Sequence, residues 1–510
     1  MTEVIDEQDG PDKARPSPAG SGSVTPNPRL ADPKNLEPKH PDHARPNHER
    51  PQHGAAQHAA GAHQPEHAQP RTAGQLSRRA VLGLAVGLAA SAGYLGIRQI
   101  GDDPNTGTAG PTPSSTPSTP DEAAEGVRRA SLGGAVLQQL ADAVGNGDRA
   151  GFLAAVDPRS TGFRDEARTV YNNLRDLPLA VFRMRYVSDD PGAIEPDRLQ
   201  ALGATEAWLA QVEVTWQLKD FDAKPARAIL PVTMVARGSE TYAASFSERF
   251  VSGQRRPIWA LGELHLLDGD HSLVVSLHQN ADLKAYTKLV DQAVDSVTEV
   301  WGRKWRRKTV LYLPAKQNQM EQLLGAQPNT YGQIAAVTMA ELDQPQPNAP
   351  VRVVANPKLF GELGRQGRRI VLTHETTHIA SNATASPVPL WLAEGFADYV
   401  AFTAVDVRTD SAAAELFKAV RAGKGPKGLP APEMFAASSA ELPIAYESSW
   451  LACRLIAETE GQAKLVQFYR AVHASKGQDG IVKAFRDVLG TTEQEFVQDW
   501  QRYLQRLAGA

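Results

Sequence analysis

Four side chains stand at spacings that suit metal chemistry: His374 and His378, four residues apart, Glu375 beside the first, and Glu394 sixteen residues beyond the second. An α-helix turns once per about 3.6 residues, so the two imidazoles leave the same face at a separation one metal ion bridges. Glu375 adjoins the first histidine, where its carboxylate can reach a water at the metal without being a ligand, the position of a general base. Val371, Leu372, Thr376, Thr377 and Ile379 around the motif are uncharged and contain no proline. That composition suits a helix packed on both flanks, with only the histidine face open to a cleft.

Two histidines leave zinc one short of the three protein ligands usual at a catalytic site, and Glu394 supplies the third. Ser381, Asn382, Ser386 and Pro387 form a reversing turn between the two motifs, and Pro389 occupies the first turn of a second helix. Asp398 falls one turn after Glu394 on the same face, where it can accept a hydrogen bond from the outer ring nitrogen of a metal-bound histidine. The bland alternative is a buried polar helix whose histidines are satisfied within the core.

His-Glu-Thr-Thr-His at 374–378 with Trp-Leu-Ala-Glu-Gly-Phe-Ala-Asp at 391–398 resembles the gluzincin clan of metallopeptidases, and most of all its bacterial peptidase MA-like group. The resemblance covers residues 281–510. It implies His374, His378 and Glu394 as ligands of Zn2+, Glu375 as catalytic base and acid, and Asp398 as the orienting partner of the first histidine. Members of that group also carry a tyrosine and a small-residue helix after the third ligand, and Ala445-Tyr446-Glu447-Ser448-Ser449-Trp450-Leu451 fits. Tyr446 is thereby a candidate for stabilising the oxyanion, against a plain core or capping role. The glycine-rich substrate motif of the large aminopeptidases is not evident. The implied reaction is hydrolysis of a peptide or protein substrate, with water activated at zinc and its proton passed by Glu375 to the leaving amine.

These side chains need a frame. Ahead of the motif the pattern predicts a helix over 289–300 and strands over 309–313, 334–339 and 351–354, either of the last two being a possible sheet edge for an extended substrate. After it, helices are expected over 413–421, 448–458, 464–472 and 480–489, and a last one from the capping box Thr492-Glu-Gln-Glu495 to 507. The catalytic region is thus helix-rich with a small sheet.

Residues 126–278 read as helices (135–144, 150–156, 164–177) and then strands (181–187, 208–218, 229–235, 243–251, 260–267, 272–277), with a hairpin turn at 268–270. Helices followed by an antiparallel meander make an α+β accessory domain, similar in outline to the NTF2-like fold. His265 and His271 are expected as exposed strand residues, not as a site.

Residues 1–76 are a disordered tail, crowded with proline and holding seven of the thirteen histidines. A spacer is favoured there over a weak metal-binding tract. Ser77-Arg78-Arg79 then precedes an apolar run at 80–97 long enough to cross a bilayer, and a Ser/Thr/Pro linker follows over 100–125. The arginine pair places the tail inside and the larger part outside. The rival for 77–99 is a twin-arginine-like signal with a cleavage site at Ala90-Ser91-Ala92, which also puts the catalytic part outside the cytoplasm.

Cys453 is the only cysteine, so no intramolecular disulfide forms. A net charge of -4 over 510 residues gives no sign of a nucleic-acid partner. The basic run at 301–308, Trp-Gly-Arg-Lys-Trp-Arg-Arg-Lys, is expected to be a solvated helix end. Oligomeric state is not specified. The expectation is therefore a membrane-anchored, extracytoplasmic zinc metallopeptidase, the alternative being a cell-envelope scaffold with an inactive peptidase-like domain.

Overall fold

The computed structural model describes residues 120–246, 254–341, 346, 348–436, 438–475 and 478–509. The tail at 1–76, the apolar run at 77–99 and the linker up to residue 119 lie outside the described residues. Among the described residues no helix is long and apolar enough to cross a membrane. The last residues of the expected linker are helical: a helix runs Pro120–Asn146, with proline at its first position and Asp121 and Glu122 in the first turn. Both choices favour a helix start, proline because its missing N–H has no partner there and the acids because they face the positive end of the dipole.

The molecule is α+β and helix-rich. After helices Arg149–Ala154 and Thr161–Asp176 come β1 (Leu179–Asp190), β2 (Glu206–Leu218), β3 (Ala226–Arg237) and β4 (Glu240–Ser245), an antiparallel sheet in the order β1-β2-β3-β4. A short helix, Pro196–Leu202, joins β1 to β2 and was not expected from the sequence. The strand expected over 243–251 ends at Ser245, with residues 247–253 outside the described set.

β5 (His265–Asp268) and β6 (Ser272–Ser276) form the expected hairpin about Gly269 and Asp270, but they do not extend the first meander. β6 runs parallel to β7 (Thr309–Leu313) and β7 parallel to β9 (Val351–Ala355), while β8 (Ala336–Ala340) pairs antiparallel with β9. The second sheet therefore has the order β5-β6-β7-β9-β8. Parallel neighbours need a long crossover, and the helix Leu283–Trp301 is that crossover between β6 and β7. β6 and β7 are buried at every position, as central strands covered on both faces are. His265 and His271 are half-buried, His271 in the hairpin turn with its backbone N–H donating to Asp291 at 2.9 Å.

Three helices position the site. The motif helix (Arg365–Ser381) packs on Leu283–Trp301 and against β8 and β9. The Glu394 helix (Leu390–Thr403) packs on the motif helix and on the Tyr446 helix (Leu442–Glu460). Helices Ala414–Arg421, Gln462–Ala474, Gln478–Leu489 and Glu493–Ala508 complete the C-terminal part. The last opens with the expected capping box: Glu495 N–H donates to Thr492 Oγ1 at 3.2 Å, and Thr492 N–H to Glu495 Oε2 at 2.9 Å.

A connected cluster of buried apolar residues runs from Val136 to Ala508 and includes strands of both sheets. One polar clasp crosses it. Buried Arg352 of β9 donates to both carboxylate oxygens of Asp222, which follows β2, at 2.7 and 2.8 Å, and lies 2.8 Å from Glu341. Its Nε donates to the Tyr312 hydroxyl at 3.1 Å. Of the basic run, Trp301 is buried under Arg470, 4.6 Å from the ring centroid, and Lys308 donates to the Asp270 carbonyl at 2.9 Å, while Arg303 and Lys304 are exposed.

Candidate metal centre

Local sequence explains how the ligands are presented. The motif helix ends at Asn382, which adopts the left-handed conformation (φ 54, ψ 40) and returns its N–H to the carbonyls of His378 and Ile379. Asparagine is among the few residues that take this conformation cheaply, so the chain reverses directly after the second histidine. A turn of 3-10 helix, Ala383–Ala385, leads to Pro387 and Pro389, the latter at the N-cap of the Glu394 helix, one position earlier than expected. Its carbonyl accepts from the N–H groups of Leu392 and Ala393, both at 3.0 Å.

His374, His378 and Glu394 meet in the interior, their ligand atoms all within 4.8 Å of one another. His374 Nε2 lies 3.0 Å from His378 Nε2 and 3.2 Å from Glu394 Oε2, and His378 Nε2 lies 3.5 Å from the same oxygen. Tetrahedral ligands about 2.0–2.1 Å from zinc stand roughly 3.3 Å from one another, so these separations fit one small cation. Glu394 Oε2 accepts no hydrogen bond although it is buried. An orphaned carboxylate oxygen facing two ring nitrogens is costly unless a positive charge joins them. Among the described residues this is the one group of that kind.

The electrostatics point the same way. Burial alone would raise the Glu394 carboxyl, but His378 and His374 beside it bring it down to about 2. Burial also disfavours a charged His374, yet the carboxylates of Asp398 and Glu394 hold its pKa well above the ordinary histidine value. The cluster thus attracts positive charge.

Asp398 stands where the helical spacing put it, its Oδ1 2.8 Å from His374 Nδ1. Glu375 is fully buried, and burial raises its carboxyl against the pull of the two histidines and of a hydroxyl donor. That donor is Thr338 of β8, with Oγ1 2.5 Å from Glu375 Oε2, while Glu375 Oε1 has no partner. Tyr446 is buried, its ring centroid 6.4 Å from that of His374 and 5.4 Å from that of Phe435. Thr338 was missed by sequence reasoning. The segment was read as a strand, and no local signal says which strand residue meets a helix.

No family model matches this chain, and no curated protein matches it. Among solved structures, a mutant M1 zinc metallopeptidase from Deinococcus radiodurans is similar at 14% identity, over 47% of this chain and 51% of that one, with a TM-score of 0.28. The chain thus spans about half the length of that structure. A likeness of this size carries no argument, and the site stands on its own geometry.

Proposed function

We propose that this chain is a zinc-dependent peptidase acting on a peptide or protein substrate, held outside the cytoplasm by a membrane span at residues 80–97. The observation that carries the reading is the convergence of three buried ligand atoms within 4.8 Å, next to a buried carboxylate with one oxygen unpartnered. The same run read as a twin-arginine signal would deliver the site to the same side. No nucleic-acid partner is proposed.

A zinc ion held by His374, His378 and Glu394 would supply Lewis acidity and lower the pKa of a water toward ~7. The rest falls to the chain's own residues. Asp398 keeps the proton on His374 Nδ1, so that Nε2 turns its lone pair to the cluster. Glu375 takes a proton from the attacking water as the C–O bond forms and passes it to the departing amine as the C–N bond breaks. Tyr446 is the proposed donor to the oxyanion. β8 borders the site as an edge strand of its sheet, and an extended substrate can pair with its main chain.

The test is zinc content and cleavage of fluorescein-labelled casein by the wild-type protein and by Glu375→Gln. The variant should bind zinc like the wild type and lose at least about a hundredfold in rate, the lower end of what a general base contributes. Zinc binding without cleavage by the wild type would return the chain to the scaffold reading.

A further inference from the structure

We infer that Thr338 is the positioning residue of the general base: its hydroxyl holds Glu375 Oε2, which leaves Oε1 as the oxygen that handles the proton. The inference rests on the peptidase reading of the site. It starts from an asymmetry within one buried carboxylate, whose Oε2 lies 2.5 Å from Thr338 Oγ1 while Oε1 has no partner. A carboxylate with one donor can still turn about its terminal torsion, but exchanging its oxygens breaks that bond to a carboxylate that is itself buried. The hydroxyl therefore selects a rotamer.

Thr338 is itself well fixed. It sits in the middle of β8, opposite Val353 of β9, and the β-branched side chain has few rotamers. The same hydroxyl lies 3.3 Å from the Glu375 main-chain carbonyl, so it follows the turn of the motif helix as well as the side chain. Through this one residue the edge strand and the base share a register. A base must stand within hydrogen-bond reach of the proton it takes, and misplacement by about 1 Å costs rate more than binding.

The experiment has one arm that needs no activity. Urea unfolding of the metal-free protein is measured for wild type, Thr338→Val, Glu375→Ala and the double variant. With Glu375 present, Thr338→Val should lower the folding equilibrium constant roughly 10- to 100-fold, and with alanine there by less than about threefold. Equal losses in both backgrounds overturn the pairing.

The second arm is casein cleavage by zinc-loaded protein. Thr338→Val should keep the zinc stoichiometry and KM but lose about tenfold or more in kcat, and Thr338→Ser should recover most of it. Unchanged kcat in Thr338→Val, or no recovery in a zinc-loaded Thr338→Ser, rejects the positioning role. If the wild-type protein cleaves nothing, the peptidase reading and this role fall together, while the unfolding cycle still reports the pair.

Discussion

Gly395, the residue after the third candidate ligand, lies directly against the Tyr446 helix: a Cβ built on it would stand 2.2 Å from the carbonyl oxygen of Ser449 and 3.0 Å from Cys453 Sγ. The obstruction is backbone, which cannot swing aside like a flexible side chain. Gly395→Ala must push the two helices apart and should cost on the order of 3 kcal/mol, the upper part of the range for overpacking. Urea denaturation reads the loss, and zinc content should fall with it because Glu394 is the neighbouring residue. A midpoint equal to that of the wild type would show that this contact sets no distance.

Asp398 touches the candidate metal only through His374, at 2.8 Å from Nδ1. Asp398→Ala should weaken zinc affinity about 10- to 100-fold without removing any ligand, and Asp398→Asn should fall between. Competition with a chromophoric chelator measures both. Affinity untouched by the alanine would exclude an orienting role.

Glu447 caps a helix from a distance. Its Oε2 accepts from the Leu416 backbone N–H at 2.6 Å, at the start of Ala414–Arg421, whose own N-cap residue, Ala413, cannot. Burial nevertheless drives its carboxyl up to about 7, against the backbone donors of Leu416 and Glu415. The folded state thus keeps a proton that the unfolded chain releases near the ordinary value of 4.5. Its contribution is fully present below about pH 4.5 and is lost as pH rises through about 7, a change of about 3 kcal/mol. Relative to Glu447→Gln, which stays neutral, the wild-type protein should lose that much stability across this window. Two parallel curves of unfolding free energy against pH would reject the assignment.

The clasp of Arg352 on Asp222 joins β9 to the segment after β2 with both partners buried. Asp222→Asn removes the charge but leaves the guanidinium inside, so a loss of about 3 kcal/mol is expected. Replacing the whole buried set, Asp222→Leu with Glu341→Gln and Arg352→Met, should cost less than the single change. A single variant that loses under about 1 kcal/mol would mean that Glu341 alone satisfies the arginine.

What the sequence determined by itself is everything that ten or twenty consecutive residues can encode. The spacing of His374, Glu375 and His378, the turn at Asn382, the Glu394 and Asp398 pair and the Thr492 capping box each depend on backbone geometry within a few turns of chain, and they were legible. Most of the longer helices and strands were legible too, because a buried face repeats at the period of its own element; the strand expected over 260–267 is a strand only over His265–Asp268, and the short helices Pro196–Leu202 and Gln317–Leu324 were not foreseen. Partners were not. That β6 lies beside β7 and not β4, that β8 is the edge, that Thr338 reaches Glu375 and that Arg352 finds Asp222 across 130 residues were decided by the tertiary structure. The physical reason is that a residue's own pattern says which side faces inward, whereas the group it meets there is chosen by the packing energy of the whole core.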